Sequence, residues 1–133
     1  MSGHGRVSRG QSTVELALLL PFLLWISVGV VDFGRVYYYD VVAINAARTG
    51  ARVAADLRKS DDAVRQAVKQ DAPSLALSDA DIAIEVSPPG PRSSGDTVTV
   101  RVAYSFEPLT PLVAALFPGG RVPISRSASM VVF

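Results

Sequence analysis

The chain has 133 residues, no cysteine and a formal net charge of +1. This length allows one small soluble domain plus a membrane element. The lack of cysteine excludes a disulfide framework and a cysteine-ligated metal, and the near-zero charge gives no electrostatic basis for binding nucleic acid. A hydrophobic content of 49% is high for a small soluble protein, and much of it lies near the N-terminus.

Residues 1–10 are rich in Gly, Ser and Arg and are predicted to form a disordered leader. An uncharged apolar run follows from Leu16 to Val31, and as a helix it covers about 24 Å, slightly less than a bilayer core. The weakly polar residues before it can extend the helix, so we predict a transmembrane segment over residues 11–32.

The charges on either side of the span predict its orientation. The leader carries two arginines and no acid, whereas the far flank mixes acidic and basic residues. The positive-inside rule therefore places the N-terminus in the cytoplasm and the C-terminal part outside. A cleaved signal peptide is the alternative, but no good small-x-small cleavage site follows the apolar run.

Two features distinguish this run from an ordinary anchor: an acid at its start, and the last basic residue before it, Arg9, which is followed by Gly10 and, five positions after that glycine, by the acid. Glu15 places a carboxylate at the start of the span, where an unpaired acid costs on the order of a few kcal/mol. The simpler explanation is that it lies at the headgroup level, where the helix dipole favours it. Pro21 is expected to kink or loosen the helix, which can help it follow neighbouring helices in a bundle, although membrane helices also tolerate proline.

The helix is predicted to continue as a stem over residues 33–57, since no proline interrupts its periodicity. A stripe of small residues lies on one face of the stem: Ala43, Ala47, Gly50 and Ala54. Such a stripe allows another backbone to approach closely, either from a second subunit or from the chain's own sheet. Three consecutive tyrosines, Tyr37 to Tyr39, are expected to form an aromatic belt at the membrane interface.

Residues 58–133 are predicted to form a small extracytoplasmic α+β domain. Ser60 can cap a short helix near Asp61–Gln70. Three strands follow, and the clearest alternation of apolar and polar residues runs from Thr97 to Phe106. A sheet with one apolar face needs a helix over it, so we expect a three-stranded antiparallel sheet packed on the stem, with a short helical segment within residues 108–118.

Catalytic and metal-binding patterns are absent from the sequence. Its single histidine, His4, lies in the leader, which excludes a histidine-based triad or metal site in a chain that starts at Gln11. Asp79 and Asp81 could offer oxygens to Ca²⁺, but a turn that leads into a strand is the favoured interpretation. We therefore expect no cofactor and no enzymatic activity, and a membrane-tethered hydrolase finds no supporting residues.

The N-terminal sequence resembles the TadE-like proteins of tight-adherence (Tad, or Flp) pilus systems. The resemblance covers residues 9–55. It rests on three blocks of the chain: residues 9–21, with a glycine at position 10 and a glutamate five positions later, residues 31–35 and residues 45–52. It implies a structural subunit, a minor pilin or pseudopilin, in the bacterial inner membrane, and it also implies a helical stem packed on a small sheet.

The resemblance further implies how the chain is processed and assembled. A prepilin-type membrane peptidase is expected to cleave after Gly10, and Glu15 is expected to neutralise the new α-amino group of Gln11, most simply on a neighbouring subunit. Other pilin-like subunits, pilus assembly-platform proteins and membrane lipid are the expected partners. The alternative is an uncleaved bitopic protein whose outer domain is a binding module of a secretion complex; whether the chain enters the fibre is left open.

Overall fold

The computed structural model describes residues 8–133, with the backbone alone for residues 8, 9 and 112. Two helices come first, α1 (Ser8–Ala54) and α2 (Asp61–Asp71). A three-stranded antiparallel sheet follows, and it consists of β1 (Ile82–Ser87), β2 (Thr97–Phe106) and β3 (Val122–Val131), with the one-turn helix α3 (Pro111–Ala115) between the last two strands. The predicted α+β fold is therefore confirmed.

Helix α1 is one continuous element of 47 residues, about 70 Å long at 1.5 Å per residue. It begins at Ser8, three residues before the predicted transmembrane segment, so the last three residues of the predicted leader are already helical. The rest of the leader lies outside the described residues. Pro21 lies within the helix without ending it.

The sheet has the order β1–β2–β3, so β2 is the central strand. Its alternate valines, Val98, Val100 and Val102, are fully buried, whereas Arg101 on the opposite face is exposed. This is the alternation that the sequence predicts, and it places one apolar face of the sheet against α1 and α2.

The stripe of small residues on the stem packs inside the chain itself. Its four members are all buried in the core between α1, α2 and the sheet: Ala43, Ala47, Gly50 and Ala54. A Cβ atom added at Gly50 would lie 2.5 Å from Cγ2 of Val68 and 2.9 Å from Cγ1 of Val100. The chain's own sheet and second helix therefore occupy this face, and no surface of the stripe remains for a second subunit.

Two side chains differ from the predicted pattern. Tyr39 is not part of an exposed belt with Tyr37 and Tyr38, because its ring packs 5.4 Å from that of Tyr104 and 5.6 Å from that of Phe106. The apolar face of β3 is interrupted by Arg126, which lies opposite Val102 and forms an ion pair with Asp40 at 2.7 Å.

The strand directions give the domain two distinct ends along α1. The C-terminal end of β2 lies near the end of the apolar half of the helix (residues 11–31), because Arg35, four residues beyond that half, stands 4.9 Å above the ring of Phe106. The opposite end lies at the end of the helix, where the N–H of Phe133 donates to the carbonyl of Ala55. We call these the junction end and the distal end.

Candidate functional site at the apolar helix and its junction with the domain

The apolar half of α1 is unpartnered. Every residue from Gln11 to Val31 is exposed except Gly29, which is half-buried. By length and composition α1 can cross a membrane. No residue in its most apolar stretch of 18 residues is buried. A core helix of a soluble protein would be covered, so this exposed surface requires either lipid or other apolar helices around it.

Glu15 lies one turn after Gln11 on the exposed surface of α1. The Nε2 atom of Gln11 donates to Oε1 of Glu15 over 3.3 Å. The carboxylate therefore already reaches the residue whose α-amino group cleavage after Gly10 would release.

Gly10 lies in the first turn of α1, where backbone N–H groups lack partners within the helix. A Cβ atom at this position would meet no atom within 4 Å, and the backbone does not need a left-handed conformation there. The fold thus gives no reason for a glycine at position 10, which leaves recognition by another molecule as the reason to consider.

A buried carboxylate marks the junction between the apolar half of α1 and the domain. The Asp32 side chain is 1% exposed. It accepts hydrogen bonds from the backbone N–H groups of Leu109, at 2.9 Å, and Thr110, at 2.7 Å. It also pairs with Arg35 at 3.3 Å. These bonds attach the connection between β2 and β3 to the helix at the residue where the uncharged run ends.

This role of Asp32 was not predicted from the sequence, in which the residue is only the last one of the predicted transmembrane segment. An available signal was Arg35, three positions later on the same helix face, which suits an i,i+3 ion pair. The decisive partners are backbone groups 77 and 78 residues away, and nothing in their residue types indicates that they bind an acid.

A second attachment, also missed from the sequence, holds the distal end. The Arg92 guanidinium donates to the carbonyl of Ala54 at 2.8 Å and to that of Lys59 at 2.8 Å, and it pairs with Asp61 at 2.7 Å. The loop between β1 and β2 is therefore attached to the end of α1. The two attachments lie about 33 Å apart along the helix.

The acidic pair considered for calcium forms the turn that leads into β1. Asp81 accepts hydrogen bonds from the hydroxyl of Ser78, at 2.6 Å, and from its backbone N–H, at 2.8 Å, and these bonds lower the pKa of Asp81. Asp79 instead pairs with Lys69 at 2.9 Å. Within residues 8–133, no group of three or more His, Cys, Asp or Glu side chains is arranged to hold a metal ion.

These features define a class of protein: a membrane-anchored, single-pass chain whose long apolar helix continues as the stem of a small α+β domain. A family model described as TadE-like protein matches residues 10–52. The resemblance stated from the sequence is confirmed, because the N-terminal region of this chain is similar to TadE-like proteins. The match contains Gly10, Glu15 and Asp32 and ends within α1.

The comparisons with individual proteins add nothing to the family match. Neither the curated proteins nor the solved structures gave a match to this chain.

Proposed function

We propose that the chain is a minor pilin or pseudopilin that acts in the assembly of a Tad (Flp) type IV-like pilus or a related secretion apparatus. The TadE-like match supports an association with Tad pili and with other pilus components as partners. The observation that carries the finer proposal is the exposed apolar half of α1, which contains Glu15 and lies inside the matched region. The proposed role is structural rather than catalytic.

In this proposal, residues 11–32 cross the bacterial inner membrane with the N-terminus in the cytoplasm and the domain outside, as the charges of the flanks predict. The continuity of α1 favours an anchor that is retained rather than removed. The helix runs without a break from the apolar half into the core of the domain. A signal peptidase acting after the apolar run would therefore have to cut a helix beside the buried Asp32.

A prepilin-type peptidase is proposed to cleave between Gly10 and Gln11, on the cytoplasmic side. Support comes from the position of this bond in the first turn of α1, where the helix frays at little cost. It also comes from the open space around Gly10, because packing does not require a glycine there. Cleavage removes the leader and leaves the apolar helix in the mature chain.

Intact-mass measurement of membrane-extracted protein tests this step. We expect the wild type to have lost residues 1–10 and Gly10→Leu to keep them, because a side chain at position 10 would crowd the peptidase. Gly34→Leu is the matched control, since a Cβ atom there also meets nothing within 4 Å. A wild type that keeps its leader would favour the alternative function, an uncleaved binding module of a secretion complex.

Glu15 is proposed to pair with the new α-amino group of Gln11 on a neighbouring subunit. Side-by-side packing of apolar helices would bury this positive charge unpaired, at a cost of several kcal/mol. A carboxylate one turn along the helix can meet an amine from a subunit shifted along the axis. The contact between Glu15 and the Gln11 side chain within one chain supports this, because the exposed carboxylate hydrogen-bonds to a group of the residue whose α-amino group it is proposed to pair with.

The variant Glu15→Gln separates this role from peptidase recognition. We expect normal cleavage by mass but loss of the protein from sheared pili, or loss of surface pili. Glu85→Gln is the control, because it removes the same charge from an exposed position on the sheet. Normal cleavage with normal incorporation would remove the pairing role, and a failure of cleavage would assign Glu15 to the peptidase instead.

A further inference from the structure

The connection between β2 and β3 is uncharged and partly apolar. We call residues 108–120 the junction loop. It contains no charged residue, and the two residues that flank it, Glu107 and Arg121, pair with each other at 3.8 Å. Among the side chains of the loop that the structure describes, three large apolar ones are exposed: Leu109 at 64%, Leu116 at 74% and Phe117 at 37%.

The position of the junction loop is fixed relative to the apolar helix. Asp32 comes directly after the uncharged run that ends at Val31, and it binds the backbone of Leu109 and Thr110. The loop therefore lies beside the C-terminal end of that run. Phe33, which is 76% exposed, adds to the apolar surface at the same level.

We propose that the junction loop is a second membrane contact, whose apolar side chains insert into the lipid interface beside the span. This goes beyond the pilus role and depends only on α1 being the membrane anchor. Lipid is the favoured occupant because the loop is continuous in space with the end of the span. The loop also lacks charge over its whole length, as a segment lying in the interface requires.

The backbone of the loop is suited to this environment. Polar backbone groups at the membrane need partners, because the apolar region supplies none. Two N–H groups at the start of the loop donate hydrogen bonds to the Asp32 carboxylate. In the turn of α3, the N–H of Ala114 donates to the carbonyl of Thr110. The membrane contact also fixes the tilt of the domain, since the loop and the span hold it at two points.

Spin-labelled cysteine variants of the full chain test this proposal directly, since the chain has no cysteine of its own. The probes are Leu109→Cys and Leu116→Cys, both at exposed positions. Ile26→Cys in the apolar helix is the lipid reference. Leu57→Cys is the matched control, an apolar residue that is 45% exposed at the distal end. Each variant is placed in nanodiscs at one chain per disc, and collision of the label with oxygen is compared with collision with a water-soluble nickel chelate.

We expect the oxygen-to-nickel ratio at Leu109→Cys and Leu116→Cys to be several-fold above that at Leu57→Cys and to approach that at Ile26→Cys. Equal ratios at positions 116 and 57, with position 26 in lipid, would overturn the proposal and leave the span intact. A water-like label at position 26 would overturn both. Protection of position 116 that appears only with two chains per disc would identify a second copy as the occupant and also overturn the proposal.

Discussion

The buried carboxylate at the junction is the most informative position to perturb, and Asp32→Asn is the least disruptive change there. The carboxylate accepts two backbone N–H groups and pairs with Arg35. An asparagine of the same shape has one acceptor oxygen and turns an NH₂ group toward a donor. One N–H is then left unpaired in a buried place, and the other loses its charged acceptor.

Hydrogen bonds to charged groups contribute about 1.5–3 kcal/mol each, and a buried unpaired donor costs about 1–3 kcal/mol. We therefore expect Asp32→Asn to lower the free energy of unfolding of the domain by about 2–4 kcal/mol. The matched control is Asp40→Asn on the same helix. Asp40 pairs with the half-exposed Arg126, and such a pair contributes about 1 kcal/mol or less.

The assay combines denaturant unfolding of the detergent-solubilised chain, followed by circular dichroism of the sheet, with amide hydrogen exchange. Exchange should accelerate at Leu109 and Thr110 in Asp32→Asn and remain slow in Asp40→Asn. If Asp32→Asn unfolds like the wild type and both amides stay protected, then the carboxylate does not hold the junction end, and the reasoning is refuted.

Three further predictions concern the stem, the distal end and the turn that leads into β1. Gly50→Ala should destabilise the domain by about 1–3 kcal/mol through overpacking, whereas Gly34→Ala, with open space around it, should be neutral or stabilise α1 by up to about 1 kcal/mol in the same unfolding assay. Arg92→Ala should speed amide exchange at residues 54–61 and leave Leu109 protected, and uniform acceleration would contradict the separation of the two ends. Folding lowers the pKa of Asp81, so the Asp81 carboxylate should contribute its full stabilisation above the ordinary aspartate pKa of about 3.9. This stabilisation should disappear as the pH falls through the pKa of the folded state. Asp81→Asn should remove this part of the pH dependence of unfolding.

Periodicity predicted the elements of this fold because each of them buries one face. The alternating valines of β2 and the small-residue stripe of α1 depend only on which residues are apolar and how they are spaced. The cap at Ser60 is similarly local, since its side chain accepts from the N–H of Ala63 only three residues away. These features could be predicted from the sequence without knowing how the elements pack against each other.

The attachments between elements could not be predicted from the sequence, because they depend on how the elements meet. Asp32 and Arg92 bind backbone groups that lie 77 and 38 residues away in the chain, and any residue type supplies such groups. Tyr39 was wrongly predicted to be part of the exposed belt, because a tyrosine suits both an aromatic belt at the membrane and the edge of the core. Which of three adjacent tyrosines turns inward depends on the rotation of α1 against the sheet.

The two attachments limit how this chain can meet others. The domain is fixed to α1 at Asp32 and again at the distal end by Arg92, so the stem and the sheet behave as one body over about 33 Å of helix. The face of the stem that carries the small residues is buried against α2 and the sheet. Close packing between subunits must therefore involve the apolar half of α1, where Glu15 and Pro21 lie, or the outer surfaces of the domain. The stem half of α1 packs against the chain's own domain. The apolar half therefore remains as the surface on which a charge such as that of Glu15 can set the axial register of a neighbouring helix.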